Sequence, residues 1–323
     1  MNIFITGASG FVGGAATKHL VAAGHRVMAM SRSEKSDEAI SSLGAMPIRC
    51  DLENVTADHL NNADVCIHCA AFVGQWGDKD IWYRGNVLGT RNVLQAAKES
   101  GVSRFVHIGS EAGLVKGQHL LGIDESYPLA PDSSYSYCAT KAQAEQLAVA
   151  ANGDGFEVIV LRPRLIWGEG DQTLLPAIEE MCARGNWVWI DGGRASTSSV
   201  HIDNLVHAIE LSLTRGVPGQ AYFIVDDGNR TMKQIVSSMA STRALSLGDR
   251  SIPAWLADGL GWLCESAWRL LRLRSTPPLT RHAAMVMSRH CVLQGDKAKR
   301  ELGYSPVISF EDAVERMRSA QSS

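Results

Sequence analysis

The chain has no apolar run long enough to cross a bilayer. Its tryptophan-rich stretch from Ile252 to Arg274 is broken by Asp258 and Glu265, and so falls short of the roughly 18 uncharged residues a spanning helix needs. Excess charge of either sign is also missing: 31 Lys and Arg against 34 Asp and Glu leave a formal net charge of −3, without the basic stripe that a nucleic-acid partner requires. Histidines and cysteines do not cluster at zinc-ligand spacing, so no metal site is expected. Internal repeats, low-complexity tracts and flexible linkers are absent too. Asn2 already begins a strand-like run, which leaves no room for a charged segment and an apolar signal core, and a cytoplasmic location is expected. The 7 cysteines, odd in number and scattered through apolar segments, predict free thiols in a reducing compartment. Cys66-Ile67-His68-Cys69 has redox-motif spacing, but it lies in a buried-strand pattern and reads as core.

What is present is a regular alternation. Apolar runs of strand length at 2–6, 26–30, 46–50, 64–69 and 104–108 alternate with amphipathic stretches at 11–23, 81–100 and 134–151, and a further buried strand is expected at 156–161. Such alternation predicts an α/β fold of Rossmann type, a doubly wound parallel sheet. With 323 residues there is chain for one large core and an appended lobe. The expected division is a dinucleotide-binding domain over 1–165, with a further strand and helix from about 195–225, and a smaller, mainly helical substrate lobe over 166–323 that includes a helical segment at 252–290.

The first strand runs into Gly7-Ala8-Ser9-Gly10-Phe11-Val12-Gly13 and then a helix. The spacing differs from the common G-x-G-x-x-G fingerprint, yet backbone N–H groups and a helix N-terminus converge where a pyrophosphate would lie. Gly7, Ser9, Gly10, Phe11, Val12 and Gly13 are therefore the candidate phosphate cradle. After the second strand, where an NAD enzyme tends to place a carboxylate for the ribose 2′-hydroxyl, the chain has Arg32. A planar guanidinium suits a 2′-phosphate, so NADP is the expected cofactor, with NAD the alternative and neutralisation of Arg32 by Glu34 or Asp37 the competing reading.

Tyr137 and Lys141 stand four residues apart, on one face of the expected helix. A free phenol with a pKa of about 10 is a poor acid–base catalyst at neutral pH, and a nearby ammonium favours its ionised form. Carbonyl reduction needs a hydride source, a proton donor and a preorganised donor for the developing alkoxide, roles that Tyr137 and Ser110 can share. His201 and Asp203 read as structural, with Asp203 the expected N-cap of a helix over 204–213.

Taken in order, Gly7-x-x-Gly10-x-x-Gly13, Asp51-Leu52, His68-Cys69-Ala70-Ala71, Asn86-Val87-Leu88-Gly89-Thr90, Gly109-Ser110, Tyr137 to Lys141, Leu161-Arg162-Pro163, Val200-His201-Ile202-Asp203-Asn204 and Glu301-Leu302-Gly303-Tyr304-Ser305-Pro306 resemble the extended short-chain dehydrogenase/reductases. Within them the chain is most similar to the 3β-hydroxysteroid dehydrogenase and sterol-carboxylate dehydrogenase group and to bacterial reductases of hydrophobic 3-keto compounds. The resemblance implies that Tyr137 moves the hydroxyl proton, that Lys141 binds the nicotinamide ribose and lowers the tyrosine pKa, and that Ser110 holds the substrate oxygen. It also implies that Asn86 supports the site, that Asp51 meets the adenine amino group, and that Leu52, Ala70, Ala71 and Pro163 line the cofactor. A homodimer built on two long helices is implied as well. Two departures stand out: Gly109, where relatives often carry serine or threonine, and Glu111, whose carboxylate would disfavour acidic substrates if it faced the pocket.

The expected activity is NADP-dependent interconversion of a secondary alcohol and a ketone on a bulky hydrophobic substrate, steroid-like or long-chain 3-keto. The alternatives are a nucleotide-sugar epimerase or dehydratase with bound NAD and, from another class, a non-catalytic NADP-binding redox sensor. The 252–274 segment reads most plainly as a helix completing its lobe's core. A lid over an apolar substrate and an amphipathic helix on a lipid surface are the other readings.

Overall fold

A computed structural model describes residues 1–74 and 76–320, so the last three residues of the expected substrate lobe lie outside the described residues. The alternation resolves into β1 (Asn2–Thr6), α1 (Phe11–Ala22), β2 (Arg26–Ser31), α2 (Glu34–Ser42), β3 (Met46–Arg49), β4 (Val65–His68), α3 (Gly89–Glu99), β5 (Arg104–Ile108), α4 (Ser136–Ala150), β6 (Glu157–Pro163), α5 (Ile202–Ser212) and β7 (Gln220–Ile224). These seven strands form one sheet in the order β7-β6-β5-β4-β1-β2-β3, parallel throughout. Because β1 pairs with β4 on one side and β2 on the other, the strand order reverses there, which is where open α/β sheets bind their ligands.

Burial on both faces explains the unbroken apolar strands. Ile3, Ile5, Ile67, Val106 and Ile159 point to one face and pack under α1 and α5. Phe4, Cys66, Phe105, Val158 and Val160 point to the other and pack with Val93 and Leu94 of α3. A separate cluster around Trp167, Trp189, Met232, Met239 and Phe310 forms the core of the second lobe.

Two corrections concern local structure. The helix expected at 204–213 starts at Ile202 and is capped by His201, whose ring nitrogen accepts from the Asp203 amide at 3.2 Å, while Asp203 pairs with Arg316 at 2.7 Å. The helix expected over 81–100 is interrupted: residues Tyr83–Leu88 wind as a π-helix between Lys79–Trp82 and α3. A π-helical turn rotates the following side chains relative to an uninterrupted helix, and Asn86 lies within it.

In the second lobe, α6 (Ala254–Leu270) packs on α7 (Arg281–Ser288). α7 also reaches toward the first residues of α4, where His282 presents its ring to Tyr137.

Candidate active site

The C-terminal ends of six adjacent strands bring the candidate residues to one edge. Gly7 follows β1, Arg32 β2, Asp51 β3, Ala70 and Ala71 β4, and Ser110 β5, while Pro163 is the last residue of β6. The glycine loop is tight against its surroundings. Gly7 has φ +75°, and a Cβ there would stand 2.9 Å from the Ala70 nitrogen; a Cβ at Gly13 would stand 2.2 Å from the Gly7 oxygen. Those two glycines are required by packing alone. At Gly10 the nearest atom to an added Cβ is 3.3 Å away, and Ser9 and Gly10 are exposed, so the space before the loop is open. Phe11 and Val12 open α1, whose N-cap Gly10 supplies no side-chain acceptor, leaving the first-turn amides without a side-chain partner. This is the arrangement a pyrophosphate would complete.

At the end of β2, Arg32 is exposed, and its guanidinium makes no ion pair among the described residues. Asp37, which the sequence offered as a neutralising partner, is instead bonded to Arg49. Asp51 turns one carboxylate oxygen back to the amides of Glu53 and Asn54 at 2.8 and 2.9 Å. Leu52 beside it is half-buried against α3, where a Cβ at Gly89 would stand 2.9 Å from its side chain.

Ser110, Tyr137 and Lys141 come together on the far side of the switch point. Ser110 caps a short 3₁₀ turn over Glu111–Leu114, accepting from the Ala112 amide at 3.2 Å. Lys141 is buried, and its Nζ donates to the Ile108 carbonyl at 2.7 Å. Burial pushes its pKa down to about 8 against the opposing pull of the Glu145 carboxylate. The Tyr137 phenol moves opposite to expectation. Burial, and then the Glu111 carboxylate, hold its pKa above the usual 10, with Ser110 working in the other direction.

Asn86 uses its amide wholly within the protein. Its Oδ1 accepts from Phe72 N at 2.6 Å, and its Nδ2 donates to the Phe72 carbonyl and to Thr140 Oγ1, each at 3.1 Å. It therefore ties the segment after β4 to α4, one residue from Lys141.

Three interactions were not anticipated from sequence: the pairing of Glu111 with Arg164, the approach of His282 to Tyr137, and the pairing of Arg162 with Glu145. Glu111 faces inward: its Oε2 accepts from Ser110 Oγ at 2.8 Å, and its Oε1 pairs with Arg164 at 2.5 Å, with Arg164 further bonded to Thr197 at 3.0 Å. Since both charges are buried and matched, Glu111 presents no net negative charge to a substrate. His282 lies edge-on to Tyr137 with ring centroids 5.8 Å apart, and burial lowers its pKa. Arg162 and Glu145 form a second buried pair. A Cβ at Gly109 would stand 3.0 Å from Val160 and 3.2 Å from Glu145 Oε2, which accounts for glycine at that departure. Among the described residues no group of three or more His, Cys, Asp or Glu is placed to hold a metal ion.

Residues 4–251 match the model of the 3-beta hydroxysteroid dehydrogenase/isomerase family. The chain belongs to that family. It is similar over 322 residues, at 37% identity, to the 4-hydroxy-2-methyl-3-oxo-4-farnesyl-3,4-dihydroquinoline-1-oxide ketoreductase of Stigmatella aurantiaca, covering 99% of this chain and 96% of the relative. It is similar at 34% identity to the 2-alkyl-3-oxoalkanoate reductase of Stenotrophomonas maltophilia, covering 99% of both chains. A solved dTDP-glucose 4,6-dehydratase from Streptomyces venezuelae, with NAD bound, shares the fold with TM-score 0.77 and 21% identity, over 99% of this chain and 96% of that one. The chain is thus an extended short-chain dehydrogenase/reductase, an NAD(P)-dependent oxidoreductase of keto or alcohol substrates. No helix among the described residues is long and apolar enough to cross a membrane.

Proposed function

We propose that the chain is an NADPH-dependent ketone reductase acting on a bulky hydrophobic substrate of steroid-like or long-chain 3-keto type. The observation that carries this reading is the meeting of Ser110, Tyr137 and Lys141 at the sheet edge, across the switch point from an unpaired Arg32. Bound NADPH would supply the hydride to the carbonyl carbon. Gly7, Ser9, Gly10, Phe11, Val12 and Gly13 would cradle its pyrophosphate, and Arg32 would take the 2′-phosphate. Asp51 and Leu52 would hold the adenine end, with Ala70, Ala71 and Pro163 along the nicotinamide side.

Tyr137 gives its proton to the substrate oxygen. The phenol is protonated at neutral pH, the form a proton donor needs. Lys141, whose pKa burial lowers to about 8, would hold the nicotinamide ribose. Ser110, whose hydroxyl donates to Glu111 Oε2 at 2.8 Å, would help hold the substrate oxygen beside Tyr137. Asn86 keeps α4 in register with the segment after β4.

Relatives named for a farnesylated quinoline and for alkylated 3-oxo acids favour a large apolar ketone. The neutralised Glu111 leaves 3-oxo acids among the substrates. A homodimer formed through α3 and α4, where Leu94, Leu147, Ala150 and Ala151 line an outward groove, and a cytoplasmic location complete the reading. The test is NADPH oxidation with long-chain 2-alkyl-3-oxo acids, prenylated aromatic ketones and 3-ketosteroids, beside product analysis of UDP-glucose incubated with the protein and NAD+, since an epimerase or dehydratase consumes no cofactor overall. Turnover of a hydrophobic ketone and none of the sugar nucleotide is expected; the reverse pattern would transfer the site to epimerase or dehydratase chemistry.

A further inference from the structure

Helix α6 shows solvent the side that a core helix would bury. Ala257 and Gly261 face α7, and a Cβ at Gly261 would stand 3.1 Å from the Arg281 nitrogen, so the contact is close on that side. On the opposite side Trp255, Trp262, Leu263 and Leu270 fall within about 100° of one another around the helix axis. They are 74%, 57%, 56% and 83% exposed. The stripe continues past the helix end, where Arg272 takes a left-handed conformation with φ +51° and Leu271 and Leu273 stay exposed. The expectation that this segment completes the lobe's core therefore fails for Trp255 and Trp262, although Trp268 is half-buried.

The charges are sorted as well. Asp258 is bonded to Arg289, and Glu265 accepts from the Arg281 amide at 2.8 Å, so both carboxylates turn toward α7. Outward, the segment carries Arg269, Arg272 and Arg274, and the last two make no ion pair among the described residues.

We propose that residues 254–274 seat on the surface of an anionic phospholipid bilayer. The helix would lie parallel to the surface, with Trp255 and Trp262 at the headgroup boundary and the arginines on lipid phosphates. An exposed apolar stripe with amphipathic tryptophans and a basic end is what interfacial binding uses, and the short, interrupted helix rules out crossing. A second copy of this chain is disfavoured, because the outward stripe carries no carboxylate to meet the arginines. The inner side of α6 rests on α7, which holds His282 against Tyr137, and Arg269 stacks on Trp76 in the segment after β4 at 5.5 Å. On the reduction reading, a substrate dissolved in the bilayer would enter beside α6, one helix layer from the proton donor. Lipid seating itself does not depend on that reading.

The test is co-sedimentation of the full chain with phosphatidylcholine vesicles, with and without about one-third phosphatidylglycerol, at low and high salt. The anionic vesicles should carry the protein down, and salt should release it. Trp255→Ser/Trp262→Ser and Arg272→Glu/Arg274→Glu should each weaken partitioning at least about tenfold. Melting temperature and NADPH binding should hold, since these side chains are exposed. Failure of the native chain to bind either vesicle, or variants that bind as well as the native chain, would overturn the proposal. So would loss of a concentration-dependent dimer in the same variants without vesicle binding, which would assign the face to a second copy. The readout needs no turnover, so an inactive protein that sediments with vesicles contradicts the reductase reading alone.

Discussion

Ser110 Oγ donates a 2.8 Å hydrogen bond to Glu111 Oε2, and the same carboxylate is neutralised by Arg164 in the interior. A buried pair is fragile to the loss of one partner, because the other is left charged and unsolvated. Glu111→Ala should therefore destabilise the protein by about 3–5 kcal/mol, whereas Glu111→Gln/Arg164→Met should recover much of that loss. Additive losses in chemical denaturation would show that the two side chains do not act as a pair.

Gly109→Ser places a Cβ 3.0 Å from Val160 and 3.2 Å from the Glu145 carboxylate that pairs with Arg162. Overpacking at such a site costs about 1–3 kcal/mol. Thermal melting should show the loss, and an unchanged or raised melting temperature would mean that the neighbouring pair yields freely.

Arg32→Ala should separate the two nicotinamide cofactors. Removing a charge-assisted contact to phosphate costs about 1.5–3 kcal/mol, at least a tenfold loss of NADPH affinity, with NADH little affected. Fluorescence titration of both cofactors decides it. Equal effects, or tighter native binding of NADH, would return the site to NAD.

His68 and His107 stack at 5.6 Å inside the sheet, and neither ring nitrogen of His107 has a hydrogen-bond partner. Burial, with Lys141 nearby, holds the His68 pKa down to about 3 and that of His107 well below 6.5. Below pH 6.5 the unfolded chain takes up protons that the folded chain refuses, so stability falls as pH drops from 6.5 toward 3. Each histidine contributes a slope of up to about 1.4 kcal/mol per pH unit in that window. His107→Phe should flatten the acid limb of a melting-temperature profile and leave stability at pH 8 nearly unchanged. A variant with the native slope would show that His107 protonates in the folded state.

The sheet and the cofactor edge are legible in sequence for a physical reason. Strands such as β4 and β5 are buried on both faces and read as short apolar runs, while Gly13 is required by its contact with nearby Gly7, and Gly7 by its own positive φ. The Glu111–Arg164 pair joins residues 53 apart, with no local periodicity to announce it, and His282 reaches Tyr137 from another lobe. The tyrosine pKa is missed for a related reason. Four-residue spacing places Lys141 on the correct helix face, but only the fold shows the burial and the Glu111 carboxylate that hold the phenol's pKa up. The tryptophans of α6 are legible as an amphipathic pattern, yet the sequence does not say which face is covered.

The most direct measurement is the turnover rate of Tyr137→Phe with NADPH and a hydrophobic 3-keto substrate, beside an NADPH titration of the same variant. With Tyr137 proposed as the proton donor, turnover should fall by about 100-fold to 10,000-fold while NADPH affinity stays near native. A variant that keeps activity within a few-fold of the native enzyme would contradict Tyr137 as the proton donor.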